Sequence, residues 1–372
     1  MKIGCLQFAP EIGQVEANIS KADALLEQAG KEECSKLDLL VLPEMALSGY
    51  NFPNLEAIKP YLEPSSAGPS TAWAKKTAAR YQCIVNVGYP EITTATTTKT
   101  TSSTMTTSTS AAGSNKTDDD DNDDGPKRYN TVVSVSPTGQ ILATYRKSFL
   151  YYTDETWASE GDSGFFSGSL SVSASAAPRA ATADDDSLLE NVAMGICMDI
   201  NPYRFETPWS TFEFATHCVE RRARLVLLSM AWLTRMTPED MADSAGIPDL
   251  DTLAYWIERF SPVVKTGLNT GSGAAMAEGE ETEDAGETRQ ESEGVVLVMA
   301  NRCGMEPGNV QGVSQGVDGR GEDVVSYAGS SCVILVKNGN ISIFDILGKA
   351  EERLLIVDTE EQPKFALARK MA

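Results

Sequence analysis

Short, almost wholly apolar runs recur along the chain: Leu39-Leu40-Val41-Leu42, Ile84-Val85-Asn86-Val87, Val192-Ala193-Met194-Gly195-Ile196, Leu225-Val226-Leu227-Leu228 and Val295-Val296-Leu297-Val298. Runs this short lack the polar alternation of a strand with one wet face, so they read as strands buried on both faces. Between them lie stretches with helical character, Ile19 to Gln28, Ser70 to Tyr81 and Phe212 to Ala223. That rhythm specifies an α/β protein and not a repeat array. Two hairpins make its sheets mixed. One joins Thr131–Val135 to Ile141–Tyr145 through Ser136-Pro137-Thr138-Gly139-Gln140, and the other spans Ser331 to Asp345 and turns on Asn338-Gly339-Asn340.

Three segments break the rhythm. Residues 93–126 are Thr/Ser-rich and then Asp-rich, 171–187 are Ser/Ala-rich and acidic, and 267–294 are rich in Gly, Ala and Glu. Such compositions bury too little apolar surface to offset chain entropy, so they are expected as surface insertions within a single domain covering 1–372. They also carry most of the net charge of −22: −6 from Asp118 to Asp124, −3 from Asp184 to Asp186 and −7 from Glu278 to Glu293, leaving −6 for the rest. The remainder is only mildly acidic. No basic stripe is present to neutralise phosphates, which argues against nucleic acid as a partner.

No apolar run reaches the ~18 residues of a membrane span, and Lys2-Ile3-Gly4-Cys5-Leu6-Gln7-Phe8 reads as a strand and not a signal peptide, so no membrane partner and a cytoplasmic location are expected. The seven cysteines are scattered without any C-x-x-C pair, which argues against a disulfide scaffold and a structural zinc.

The chain has one histidine, His217, on an amphipathic stretch among Phe214, Cys218 and Arg221, where a packing role is expected. A Ser-His-Asp or papain-type Cys-His device therefore has no histidine to use. Three other reactive residues stand just after strand candidates, where α/β folds place their sites: Glu44, Lys147 and Cys197. A thiol needs a base to become a nucleophile near neutral pH, and a carboxyl raised by burial can serve. A cationic lysine can hydrogen-bond the oxyanion formed when that thiol attacks an amide carbon. Glu44 can then protonate the departing ammonia and activate water on the thioester.

Leu42-Pro43-Glu44-Met45-Ala46-Leu47-Ser48-Gly49-Tyr50, Tyr145-Arg146-Lys147-Ser148-Phe149-Leu150 and Gly195-Ile196-Cys197-Met198-Asp199 resemble, in this order, the three signatures of the nitrilase (carbon–nitrogen hydrolase) superfamily. The resemblance implies a nitrilase-like four-layer α-β-β-α sandwich of two mixed sheets. It implies Glu44, Lys147 and Cys197 as the catalytic triad, no cofactor and no metal. In that family a further glutamate eight residues beyond the lysine often positions substrate or water, which here is Glu155 in Tyr152-Thr153-Asp154-Glu155-Thr156-Trp157. The match runs from about Lys2 to Trp232, and the final third fits less specifically.

Within the superfamily, Ser48-Gly49-Tyr50-Asn51-Phe52, Phe149 to Glu155 and Cys197-Met198-Asp199-Ile200-Asn201-Pro202-Tyr203 are similar to the fungal protein N-terminal amidase branch. That likeness implies a substrate that is a protein or peptide beginning with Asn or Gln, deamidated to Asp or Glu and so fed to an N-degron pathway. Such a substrate carries a free α-ammonium, for which Asp154, Glu155 and Asp199 are the candidate anions. Asp199 could equally be a strut or a cap ahead of Pro202. Trp232 is a candidate pocket wall or a core aromatic, and Asn51 and Tyr203 are further binding candidates. The rival readings are a small-molecule amidase (an ω-amidase, carbamoylase or nitrilase), a glutamine-dependent amide-transfer module and a non-catalytic scaffold. Homodimerisation is common in the superfamily and is open here.

Overall fold

The computed structural model describes residues 1–94, 125–171, 188–269, 294–314 and 316–367, so the bulk of the three low-complexity segments lies outside the described residues. The alternation of apolar runs becomes two large mixed sheets. The first has the order β16-β1-β2-β4-β5-β6, with β3 also paired to β4. Its strands are β1 (Lys2–Gln7), β2 (Leu39–Val41), β3 (Glu63–Pro64), β4 (Ile84–Ile92), β5 (Arg128–Val135), β6 (Ile141–Arg146) and β16 (Arg353–Asp358). The second has the order β17-β15-β14-β10-β9-β8-β7. Its strands are β7 (Phe166–Gly168), β8 (Val192–Ile196), β9 (Leu225–Met230), β10 (Val295–Asn301), β14 (Cys332–Lys337), β15 (Asn340–Ile346) and β17 (Phe365–Ala366). The central strands β1, β2 and β4, and likewise β8, β9 and β10, pair in parallel, and both sheets finish in antiparallel pairs.

Period-two side-chain geometry sorts the first sheet into two faces. Ile3, Cys5, Leu39, Val41, Ile84 and Val132 join a core shared with β8, β9, β10 and β14, so this face meets the second sheet. Leu6, Leu40, Val85, Val87, Tyr89, Val133 and Val135 point the other way, onto Ala22 and Leu26 of the helix Val15–Ala29 and onto Trp73, Ala74, Ala78 and Tyr81 of the helix Pro69–Tyr81. Phe214 and Cys218 of the helix Glu213–Glu220, and Leu253 and Trp256 of the helix Leu250–Arg259, pack with the second sheet. The layers run helix, sheet, sheet, helix, as the resemblance implied.

Both hairpins form where the sequence placed them. β5 and β6 close through a Ser136 N–H to Gln140 carbonyl bond of 2.8 Å, with Gly139 at φ +81°. β14 and β15 turn on Asn338 and Gly339 at φ +53° and +72°, the left-handed pair that a two-residue hairpin requires. A small third sheet, β11-β13-β12, built from Met305–Pro307, Asp323–Ser326 and Gly316–Val317, has no counterpart among the sequence expectations. Among the described residues no helix is long and apolar enough to cross a membrane.

Candidate active site

Glu44, Lys147 and Cys197 leave the ends of β2, β6 and β8 respectively, and β2 and β6 lie in one sheet while β8 lies in the other. The site therefore sits at one end of the sandwich, between the sheets. Two backbone features make the approach possible. A Cβ on Gly88 of β4 would lie 2.7 Å from the Met45 nitrogen and 3.0 Å from Glu44 Cα, so only a glycine lets the Glu44 segment cross. Cys197 itself sits at φ +41° where β8 turns sharply into the 3₁₀ turn Cys197–Ile200, a left-handed conformation that costs a non-glycine residue of order 1–3 kcal/mol.

Glu44 and Lys147 are fully buried, and Cys197 is buried apart from 7% of its surface. Lys147 Nζ donates to Glu44 Oε1 and to Asp154 Oδ2, both at 2.6 Å, and lies 5.7 Å from the centre of the Tyr50 ring. The Asn130 amide donates to Glu44 Oε1 at 2.7 Å and to Asp154 Oδ1 at 3.0 Å. The Ala231 N–H donates to Glu44 Oε2 at 2.9 Å. Burial raises the Glu44 carboxyl to about 7, against the pull of Lys147. Burial also lowers the Lys147 ammonium, but Asp154 and Glu44 outweigh it and leave that ammonium more firmly protonated than usual. The Cys197 thiol is pushed well up, first by burial and then by the Glu44 charge. The resting arrangement is a neutral thiol, an ammonium and a carboxyl poised near neutrality, which suits Glu44 to accept a proton from sulfur.

The resemblance implied Glu155 as a further member of the site, and in the structure it is the neighbouring Asp154 that meets Lys147. The residues Asp154–Thr156 form a 3₁₀ turn that buries Asp154 against Lys147 and leaves Glu155 exposed. Asp154 also accepts from the Tyr151 N–H at 3.0 Å and the Tyr50 hydroxyl at 3.3 Å, so both of its oxygens are committed. Asp199 is likewise not turned toward a ligand. It is fully buried and accepts from the N–H groups of Ile196 (2.7 Å), Ser148 (3.1 Å) and Phe149 (2.8 Å) and from the Tyr145 hydroxyl (2.7 Å). Of the three readings open for it, ammonium-binding anion, strut and cap ahead of Pro202, its partners fit the strut, tying the Cys197 turn to the Lys147 loop.

The weaker candidates fall around this centre. The Asn51 amide donates to the Pro307 carbonyl at 2.9 Å, and its N–H to Glu306 Oε2 at 2.7 Å, so it holds the loop after Glu44. The Tyr203 hydroxyl donates to Glu160 at 2.8 Å, and its ring lies 5.0 Å from that of Phe149. Trp232 follows Ala231 directly, is half-buried, and packs its ring on Tyr255 and Trp256 at 5.2 and 6.0 Å. His217 packs beside the Phe165 ring and faces the Phe166 carbonyl at 3.3 Å. A surface cleft of about 400 Å³ is lined by Tyr145, Arg146, Asp162, Phe165 and Arg221, and neither Glu44, Lys147 nor Cys197 is among its lining residues.

Sequence reading missed Asn130 and Tyr50. Asn130 carried no signal of its own, because Thr131 and Ser134 are equally polar and equally buried in the same strand. Glu306 was missed as well, lying in the third of the chain where the resemblance is least specific.

The carbon–nitrogen hydrolase family profile matches residues 2–201 of the chain. Over 97% of this chain and 100% of the relative, it is 28% identical to the protein N-terminal amidase of Schizosaccharomyces pombe. It is 31% identical to the protein N-terminal amidase of Saccharomyces cerevisiae over 68% of this chain and 47% of that relative. A crystal structure of an N-terminal amidase with an Asn-Glu-Ala peptide superposes with a TM-score of 0.66 at 21% identity, covering 99% of both chains, which is a likeness of fold.

Proposed function

This chain belongs to the carbon–nitrogen hydrolase family, and from that premise we propose that it removes ammonia from an N-terminal Asn, and also Gln, of proteins or peptides, leaving Asp or Glu. One observation carries the substrate assignment. The likeness to the fission-yeast N-terminal amidase is end to end, including the final third of the chain, where the third sheet and Glu306 reach back to the Glu44 loop.

In this reading Cys197 is the nucleophile. Its Sγ–H proton passes to Glu44 as sulfur bonds to the side-chain amide carbon, and the carbonyl oxygen becomes an oxyanion. Lys147 has three N–H donors, two of them on Glu44 and Asp154, and the third is left for that oxyanion. Collapse breaks the carbon–nitrogen bond, Glu44 gives its proton to the leaving nitrogen, and ammonia departs from a thioester. Water then loses a proton to Glu44 and attacks the same carbon. The carbon–sulfur bond breaks, and Glu44 returns the proton to sulfur. A buried, water-poor site strengthens each of these interactions.

Ammonia release from an Asn-initiated peptide tests the reading. Cys197→Ala and Lys147→Ala are each expected to abolish it, and appreciable activity in either variant defeats the mechanism. The same peptide with its α-amine acetylated is expected not to turn over. Efficient hydrolysis of that peptide, of free asparagine or of a nitrile instead identifies a small-molecule or general amidase.

A further inference from the structure

Asn130 lies on β5, one residue from the Thr131–Arg146 pairing that carries the chain into Lys147, and its own carbonyl accepts the Lys147 N–H at 2.8 Å. It is fully buried. Its amide nitrogen reaches both carboxylates that flank the Lys147 ammonium, Glu44 Oε1 at 2.7 Å and Asp154 Oδ1 at 3.0 Å. Among the described residues its buried Oδ1 has no hydrogen-bond partner. A stranded buried acceptor costs stability, so the side chain is not there for packing. The amide also has only one tenable orientation, since a flip would set Oδ1 against two carboxylate oxygens.

We propose that Asn130 is a positioning residue for the reaction: its two-way amide bond fixes the Glu44 and Asp154 carboxylates on either side of Lys147 and holds Glu44 in the ionised form that can take the Cys197 proton. The proposal rests on the reading of Glu44 as the base. Hydrogen bonding to the charged form of a buried carboxyl favours that form, and Asn130 acts on Glu44 in this sense together with Lys147, while burial and Asp154 act against it. Among the described residues the other ionisable groups that feel the Glu44 charge are Tyr50, Cys197 and Tyr327. Each is pushed well above its ordinary range, chiefly by burial, and so stays neutral through the window in which Glu44 titrates.

The test compares the wild type with Asn130→Ala, Asn130→Ser and Asn130→Asp between pH 5 and 9. One readout is kcat/KM for ammonia release from an Asn-initiated peptide. The other is the rate of iodoacetamide alkylation of Cys197, followed by mass spectrometry, which needs no substrate. Asn130→Ala is expected to move the acid limb of both profiles upward by about one pH unit, since a hydrogen bond to a charged group has that worth. It should cost roughly fivefold at pH 7 and little at pH 9, with KM nearly unchanged. The serine variant, with one donor, should fall between alanine and wild type. The aspartate variant, nearly isosteric, should move the limb furthest by adding a third carboxylate, and it carries the test if the alanine variant does not fold. An acid limb at the wild-type position, with or without a uniform loss of activity, overturns the proposal. If the wild type releases no ammonia from any amide, the substrate assignment fails while the alkylation profiles still decide the role of Asn130.

Discussion

Asp154 and Glu155 are adjacent, carry the same charge and stand seven and eight residues after Lys147, yet only the first touches it. A 3₁₀ turn advances each residue by about 120°, so neighbours in it face different ways, and counting residues cannot tell which side is inward. The two positions are expected to behave very differently on neutralisation. Asp154→Asn leaves the fully buried Lys147 ammonium with Glu44 as its remaining carboxylate, so the donor meant for the oxyanion is no longer held from both sides. Steady-state assays should show kcat down by at least about a hundredfold. Glu155→Gln should leave kcat within about twofold of wild type, as expected of an exposed surface substitution. A large kcat loss in Glu155→Gln would return the fourth place in the site to that residue. At this scale Glu44, Lys147 and Cys197 were legible because each follows a strand and the lone histidine is elsewhere. Asp199 was half legible: its position after Cys197 was noticed, but nothing in sequence tells that four donors converge on it.

The strands and hairpins were legible as elements because their signals are local: apolar runs for β2, β4, β8, β9 and β10, and Asn-Gly at a hairpin for β14 and β15. Elements defined by distant partners were not. β16 completes the first sheet by pairing with β1 from the far end of the chain, through Lys2 with Asp358 and Gln7 with Arg353. The third sheet matters for the same reason. Glu306 of β11 accepts the N–H groups of Tyr50 at 2.9 Å and Asn51 at 2.7 Å, and it is bonded by Arg302 and the Tyr327 hydroxyl. These are all buried, and the Arg302 guanidinium stacks 3.9 Å from the centre of the Tyr327 ring. The loop carrying Glu44 and Tyr50 is thus clamped by a segment more than two hundred residues away. Glu306→Ala leaves Arg302 as an uncompensated buried charge, and urea unfolding should show a loss of about 3–5 kcal/mol. Replacing both Arg302 and Glu306 by apolar residues should cost less than the single change, because no orphan charge remains. A double variant at least as unstable as Glu306→Ala would mean that the ion pair itself, and not the orphan left behind, supplies the stability.

For the whole molecule, the buried carboxyls set the sign of the pH dependence between about 5 and 7. Glu63 takes the Ser70 N–H and hydroxyl at 2.9 and 2.6 Å at the start of the helix Pro69–Tyr81, and burial raises it to about 7. Glu44 is raised to about 7 and Asp199 to about 6, again mainly by burial. Unfolded carboxyls release their protons near pH 4. Between there and 7 the native protein holds protons that the unfolded chain has lost, so unfolding releases protons and a rise in pH favours it. Stability should therefore increase as pH falls from about 8 to about 5, helped by relief of the net charge of −22. His217 opposes this, since burial lowers its imidazole and the unfolded chain binds that proton more readily. Glu91, held below its usual range by Arg146, Ser65 and Thr131 against its burial, acts only at more acid pH. Glu63 allows the effect to be isolated, because it lies away from the Glu44–Lys147–Cys197 set. Glu63→Gln cannot ionise, so relative to wild type it should gain stability as pH rises from about 5 to 8, by on the order of 3 kcal/mol at most. Urea midpoints across that range decide the matter. Parallel profiles for the two proteins would show that Glu63 does not titrate in this window and that the pH dependence lies in the net charge instead.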